Sequence, residues 1–191
     1  MDIPLDFKLE TARCVLSCVS DDDVESVWSA TRYPGFNDGM PWNAPKSKSE
    51  IFPKTQHHLG QWLEGNEFVF SIRSGIDNGF IGRVAIRREE GDSVWSVGFW
   101  VHPAFWGKGF ATEASGAIID FGFDRLAAKK IIAAHALWNA ASKRVMAKLG
   151  LKYVRDNPKG FRKDGGWVAE AEYEMNAHSW ISRRGHASST N

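Results

Sequence analysis

The sequence predicts an α/β fold, in the broad α+β sense, on a mixed and mostly antiparallel central sheet with helices over both faces. Three observations carry this. "EFVFSIRS", "GFIGRVAIRR" and "SVWSVGFWV" are strand-like runs separated by the turn compositions "GIDNG" and "EEGD", which makes them an antiparallel meander. Segments with apolar residues at helical spacing precede and follow that meander. The 191 residues contain no linker, internal repeat or low-complexity stretch, so residues 1–180 are expected to form one domain that needs neither disulfides nor a structural metal.

From the N-terminus, "TARCVLSCVS" alternates as a half-buried strand with Cys14, Leu16 and Cys18 on one face. That placement reads the two cysteines as core residues rather than as a disulfide, redox or metal pair. Asp21, Asp22 and Asp23 offer N-cap and first-turn residues for a helix ending before Pro34. Residues 33–48, "YPGFNDGMPWNAPKSK", form a shaped loop in which Phe36, Met40 and Trp42 are large apolar exceptions, and Trp42 is expected to plug the core, the alternative being that it helps shape a ligand site. A helix over 49–64, limited at its start by Pro53 and broken at Gly65, leads into the meander.

Beyond the meander, Phe110, Ala111, Ala114, Ala117, Ile118 and Phe121 share one face of a helix over 108–124. "KKIIAAHAL" reads as a buried strand. Asn139 is an N-cap for "AASKRVMAKLG", whose Val145, Met146 and Leu149 share a face and whose Gly150 is the stop. Strands near "LKYVRD" and "WVAEAEYEM" complete the domain, and 181–191, poor in apolar residues, is expected to be a disordered tail.

Lys and Arg total 24 against 23 Asp and Glu, a formal net charge of +1, so no global field points to nucleic acid or an anionic membrane. A small, specific ligand suits that balance. "MDIPLDFKLE" has no signal-peptide pattern and no apolar run approaches about 18 residues, so a soluble cytoplasmic protein is expected.

The chemistry concentrates in "VGFWVHPAFWGKGFATEASGAIIDF", where a strand passes through Gly107 and Gly109 into a helix. Bare backbone there can approach a ligand, and the helix start aims unpaired N–H groups and a positive dipole end at the same spot, an anion site in outline. A turn needing positive φ would require the same glycines. A P-loop does not fit, because Lys108 lies between the glycines and no Gly-Lys-Ser/Thr follows. The dinucleotide fingerprint of a nicotinamide dehydrogenase fits poorly, since Thr112 stands at the third glycine and Ala127 to Lys130 fill the window for the acidic residue. A site for the pyrophosphate of coenzyme A, followed by a second strand splayed from the first, fits the downstream order.

"FWGKGFATEA" and "NAASKRVMAKLGL" carry a resemblance to the GNAT superfamily of acetyl-CoA-dependent N-acetyltransferases, in particular the Rim-type branch that acetylates amino termini of ribosomal proteins. "LETARCVLSCVSDDD", "MPWNAPKSKSE" and "YEMNAHSW" are similar to the beginning, substrate-side loop and end of the same branch, so the likeness spans about residues 8–180. The resemblance implies a splay between the strands near 94–101 and 130–137. It implies that acetyl-CoA is held with its pyrophosphate on the amides of Trp106, Gly107, Lys108, Gly109, Phe110, Ala111 and Thr112. The pantetheine arm would lie against main chain of Phe99, Trp100 and Val101. Asn139 would face that arm, as well as capping its helix, and Ser142 would sit by the sulfur, able to protonate the departing thiolate.

No metal is implied. Trp106 stands at the branch's usual Gln or Arg position, which leaves an amide cradle intact, and Ser96 stands where many relatives carry a glutamate base. Attack needs a neutral amine beside the thioester, a donor for the oxyanion and support for the leaving thiolate. At pH 7 roughly a tenth of an α-amine is neutral, against less than about a thousandth of a lysine, so an amino terminus needs less help from a base. The expected acceptor is therefore a protein or peptide α-amine, attacking directly in a ternary complex. A small-molecule amine (polyamine, amino acid or antibiotic) and a non-catalytic acyl-CoA-binding protein are the alternatives. Water-mediated proton removal or a carboxylate such as Asp156 could serve as the base; the aromatic loop Phe36 to Trp42 with Asp38, Glu89 and Glu90 could shape or attract a cationic acceptor, although Glu89 and Glu90 read first as hairpin-turn residues. Glu113, His102 and His135 read as structural. A monomer or homodimer is expected.

Overall fold

The structure, a computed structural model, describes residues 2–91 and 93–187. The elements are β1 (Lys8–Glu10), β2 (Cys14–Cys18), α1 (Val24–Thr31), α2 (Phe52–Glu64), β3 (Glu67–Ser74), β4 (Phe80–Arg88), β5 (Val94–Val101), α3 (Phe110–Asp124), β6 (Lys130–Ala136), α4 (Ala140–Leu149), β7 (Lys152–Lys163), β8 (Gly166–Asn176) and α5 (Ala177–Ala187). The strands form one sheet in the order β1-β2-β3-β4-β5-β6-β8-β7. Every neighbouring pair is antiparallel except β5 and β6. Among the described residues no helix is long and apolar enough to cross a membrane.

The main core lies between the sheet and α3, where Phe68 and Phe70 of β3 meet Phe121 edge-on and Ile118 and Ile119 are fully buried. Met146 and Leu149 of α4 close the same core. On the opposite face Val24, Val27 and Ile51 pack with Phe80 and Trp100, and Leu59 of α2 covers Val19, Val69 and Ala85. Both faces are thus covered over β2 to β4. The α1/α2 face of β6 and β8 carries Glu170, Glu172 and Glu174 opposite Ala136, Ala134 and Ile132 instead.

Four differences from the sequence expectation have local causes. β1 is too short for its alternation to be read, yet Leu9 pairs with Leu16 and packs on the core. α3 starts at Phe110 with Gly109 as its N-cap, so residues 108 and 109 belong to the turn. β7 continues past Asp156 through Pro158, a proline tolerated because β7 is an edge strand and its register shifts between Asn157 and Phe161. α5 runs to Ala187, into the expected tail, because its first turn is anchored: Asn176 Oδ1 accepts from Ser179 N, and Trp180 stacks on Phe123 and donates to Asp120 at 2.6 Å. Residues 188–191 lie outside the described residues.

Trp42 does not plug the core. It is half-buried over a cleft, and Phe36 is the loop residue that is buried, edge-on to Trp100. Cys14 and Cys18 are free thiols, Cys14 buried and Cys18 half-buried. Burial pushes the Cys18 thiol up to about 11.

Candidate active site

β5 and β6 are held together only at Val94↔Lys130, Trp95↔Ile131 and Ser96↔Ile132, after which they part. On its other side β5 stays paired with β4 along its whole length. His102 N donates to Ile81 O at 2.8 Å, so by the antiparallel alternation even-numbered residues here face β4. Odd-numbered Phe99 and Val101 therefore turn their N–H groups into the splay, while Trp100 bonds β4. Val101 O also points away from β4 and accepts the Trp106 indole N–H at 2.7 Å. The large side chain at 106 thus folds back onto the strand end and leaves the turn's amides uncovered.

Those amides belong to a turn with Gly107 at φ 74° and Gly109 at φ 85°. A Cβ at Gly107 would meet nothing within 4 Å, which is room for a ligand against bare main chain. The first-turn N–H groups of α3, at Phe110, Ala111 and Thr112, have no carbonyl within their helix. Lys108 turns its ammonium over the Phe105 ring at 5.3 Å. Behind the turn stands Arg13, which the sequence did not single out. Its Nη1 donates to Lys108 O at 3.0 Å and its guanidinium lies 4.5 Å from the Phe110 ring centre. It also forms a 2.7 Å ion pair with Glu113, whose Oε1 accepts from Arg13 N and Thr11 Oγ1. Burial works to raise the Glu113 carboxyl, but the Thr11 and Arg13 bonds outweigh it and hold it below the usual carboxylate range. Glu113 is a helix-to-strand tie.

Across the splay, Asn139 N donates to Ala136 O at 2.7 Å and Asn139 Oδ1 caps α4 by accepting from Ser142 N at 3.0 Å. This bond fixes Ser142 in the first turn of α4, half-buried on the cleft. The 33–48 loop roofs the region. A Cβ at Gly39 would lie 3.0 Å from Asn139 Nδ2, and Lys163 at the end of β7 donates to the carbonyls of Asn37 and Met40. One cleft of about 1690 Å³ joins the glycine turn, the splay, Ser142 and the roof.

Register places a second set of polar groups on the open α1/α2 face. His58 Nδ1 bonds Glu67 Oε2 at 2.7 Å, and Arg87 Nε donates to the other Glu67 oxygen. Burial would raise Glu67, but His58 and Arg87 hold it below the ordinary value. On β8, Glu172 accepts from Arg155 at 2.7 Å and Asn157 at 2.9 Å, and Glu174 lies 3.5 Å from Lys130. Glu170 lines the same cleft. None of these was singled out from the sequence. The alternation in "VAEAEYE", which puts three glutamates on one strand face, was the available signal.

The remaining candidates fall elsewhere. Asp156 accepts from the Tyr153 hydroxyl on exposed β7 and does not line the cleft. His102 is bonded to Ser29 and Ala104, and burial pushes its imidazole down. His135 is buried, its Nδ1 on Ala136 O and its Nε2 3.3 Å from the Tyr173 hydroxyl. Glu89 is exposed at the cleft rim, with its backbone N–H on Val94 O, and Asp38 and Glu90 are exposed.

The family model described as "Acetyltransferase (GNAT) domain" matches residues 13–152. YnaD of Bacillus subtilis, described as an uncharacterized N-acetyltransferase, is 30% identical over 100 residues, which cover 52% of this chain and 59% of YnaD. Among solved structures, RimL, described as a ribosomal L7/L12 alpha-N-protein acetyltransferase in complex with coenzyme A, superposes with TM-score 0.81 at 13% identity over 91% of this chain and 99% of its own. Mycobacterium smegmatis RimJ in complex with CoA-disulfide gives 0.79 at 18% identity, over 94% and 95%. At those identities the superpositions establish the shared fold.

Proposed function

The chain belongs to the GNAT acetyltransferases, and from that membership we propose that it moves the acetyl group of acetyl-CoA to the α-amine of a protein or peptide, by direct attack in a ternary complex. The observation that carries this is the splay beside the glycine turn. Main chain of Phe99 and Val101 faces a gap that opens directly onto the N-terminus of α3. The amides from Gly107 to Thr112 would hold the pyrophosphate, since helix N-termini favour anions and the Gly107 surface is unobstructed, whereas the Trp106 N–H expected to join them is taken by Pro103 O at 3.1 Å. Phe99 would bond the pantetheine arm as an added strand does, and Val101 N–H would face the thioester oxygen as its charge develops. Ser142 Oγ would support the leaving sulfur, with Asn139 fixing its place.

An α-amine is the acceptor this site suits because a usable fraction is neutral near pH 7. RimL, described as acting on the α-amine of ribosomal L7/L12, has the same fold and supports the same acceptor class. Calorimetry with coenzyme A, followed by thiol release from acetyl-CoA with short peptides bearing free or blocked amino termini, tests both halves. The expected result is uptake at one site and thiol release only with free termini. Uptake without release from any peptide, but with release from spermidine or a free amino acid, would move the acceptor to small-molecule amines. No uptake would remove the proposal.

A further inference from the structure

Glu170 is the one β8 glutamate on the cleft that the fold leaves uncommitted. Glu172 is engaged by Arg155 and Asn157, and Glu174 by Lys130, whereas the Glu170 carboxylate has no hydrogen bond or ion pair among the described residues. It is half-buried, so this is not a solvated surface carboxylate. Register gives its height along the splay. The last β5–β6 pair is Ser96↔Ile132; four residues further, β5 has reached Trp100 and β6 has reached Ala136, whose partner on β8 is Glu170. Glu170 therefore lies level with the Phe99 to Val101 main chain on the far side of the splay, one strand beyond β6, beside Ala136, which precedes by three residues the Asn139 cap that positions Ser142. Gly160 of β7 makes the room for it: a Cβ there would come within 2.8 Å of Glu170 Cβ, a distance real atoms do not adopt.

Building on the amine-acetylation reading above, we propose that Glu170 receives the acceptor ammonium across the splay and takes its proton as the acetyl group is transferred. The ammonium gives one proton to the carboxylate, and the neutral nitrogen attacks the thioester carbon. The C–N bond forms as the C–S bond breaks. The second nitrogen proton passes to the thiolate, with the Ser142 hydroxyl as relay, and Glu170 returns its proton to water. The products are the amide, the free thiol and one proton, so the step balances without any other reactant. It also supplies what Ser96 does not, a carboxylate facing the reacting nitrogen.

The surroundings make Glu170 a stronger base than a solvated glutamate. Burial pushes the Glu170 carboxyl up, and the Glu172 carboxylate two residues along the strand adds to it. No cation among the described residues offsets this. Opposite it in register β7 offers Asn157, which donates to Glu172, and β6 offers Ala136; Arg155 is bound to Glu172, and Lys163 is bound to the roof carbonyls.

The test compares the full chain with Glu170→Gln, Glu172→Gln and Gly160→Ala. Calorimetry with coenzyme A should give the same affinity for all four; loss of uptake in the wild type would fail the cosubstrate reading rather than this one. Thiol release is then followed against pH with a Ser-Ala-Gly amide, spermidine and free amino acids. With whichever amine the wild type accepts, Glu170→Gln should slow kcat by about a hundredfold and lose the acid limb. Gly160→Ala should slow it less, and Glu172→Gln should move the limb to lower pH. An unchanged rate and limb in Glu170→Gln overturns the proposal. If no amine in the panel is accepted, carboxyl carbon NMR of the coenzyme-loaded protein decides. A signal that titrates above the other glutamates, vanishes in Glu170→Gln and shifts when the peptide amine is added supports the proposal. A Glu170 signal in the ordinary range that ignores the amine overturns it.

Discussion

The glycine turn and the β8 wall belong to one cleft but are built from opposite materials. At the turn, consecutive residues present main chain: two glycines in the left-handed region, then the first amides of α3, with Arg13 and Glu113 bracing them from behind. On the wall, alternate residues of β8 present carboxylates that draw partners from β6 and β7, and among the described residues only the Glu170 carboxylate is left without one. Main-chain donors cannot be titrated and do not depend on side-chain identity, so a cradle built this way is expected to tolerate Trp106 at the position where the resemblance places Gln or Arg. The wall depends on which carboxylate is neutralised and which is not. A binding function is therefore expected to resist side-chain change, and a chemical function to follow single substitutions.

The largest expected effect is on the turn, and it comes from backbone conformation. Gly109→Val places a β-branched residue at φ 85°, where side chains cost roughly 1–2 kcal/mol, and puts its Cβ 3.4 Å from Arg13 Nη2. With the amides displaced as well, coenzyme A affinity should fall by about a hundredfold, since hydrogen bonds to a charged ligand are worth about 1.5–3 kcal/mol each. Calorimetry reads this directly. Unchanged affinity would place the diphosphate elsewhere and break the contrast. Ser142→Ala should give the reverse pattern, with kcat for thiol release lower by about tenfold and KM for acetyl-CoA little changed, because a hydroxyl that supports the leaving sulfur acts in the transition state. A change in KM alone would make Ser142 part of the binding half.

The two regions also differ in how much of them can be read from a sequence. The turn is contiguous, so "FWGKGFATEA" already contains a strand end, a helix start and the glycines between them. The splay was expected between the correct strands, and the Asn139 cap was legible because its bond to Ser142 spans three residues. The wall was not legible. Nothing local distinguishes Glu170 from Glu172 or Glu174; their difference lies in Arg155 and Lys130, brought alongside by strand register. Arg13 was hidden for the same reason, since its partner is 100 positions away. Trp42 was misplaced because an aromatic in a loop can face either inward or over a cleft, and Phe36 took the inward place.

A smaller effect tests whether Asn139 is only a cap. Asn139→Ala removes the acceptor for Ser142 N and should cost about 1 kcal/mol of stability, or about 2–4 °C in Tm for a chain of this size. If Asn139 also fixes Ser142 by the sulfur, kcat should fall with it. A lower Tm with an unchanged kcat would confine Asn139 to the cap.

The smallest effect concerns the brace behind the turn and carries a pH signature. Glu113 is held below its ordinary carboxyl value of 4.5 in the folded state. A depressed acid contributes stability that is complete above the unfolded value and is lost as pH falls through the folded one. Glu113→Gln should therefore melt about 1–2 °C below the wild type at pH 7, and the gap should close as pH drops below 4.5. Melting curves at matched ionic strength over that interval check the sign. A gap that persists at the acid end would mean that packing, not charge, makes the tie. The same variant also probes the main-chain half. The glycine turn needs Arg13 only as a brace, so coenzyme A affinity should change by less than about tenfold; a loss matching Gly109→Val would show that the amides are held in place by this ion pair, and that the turn depends on side chains after all.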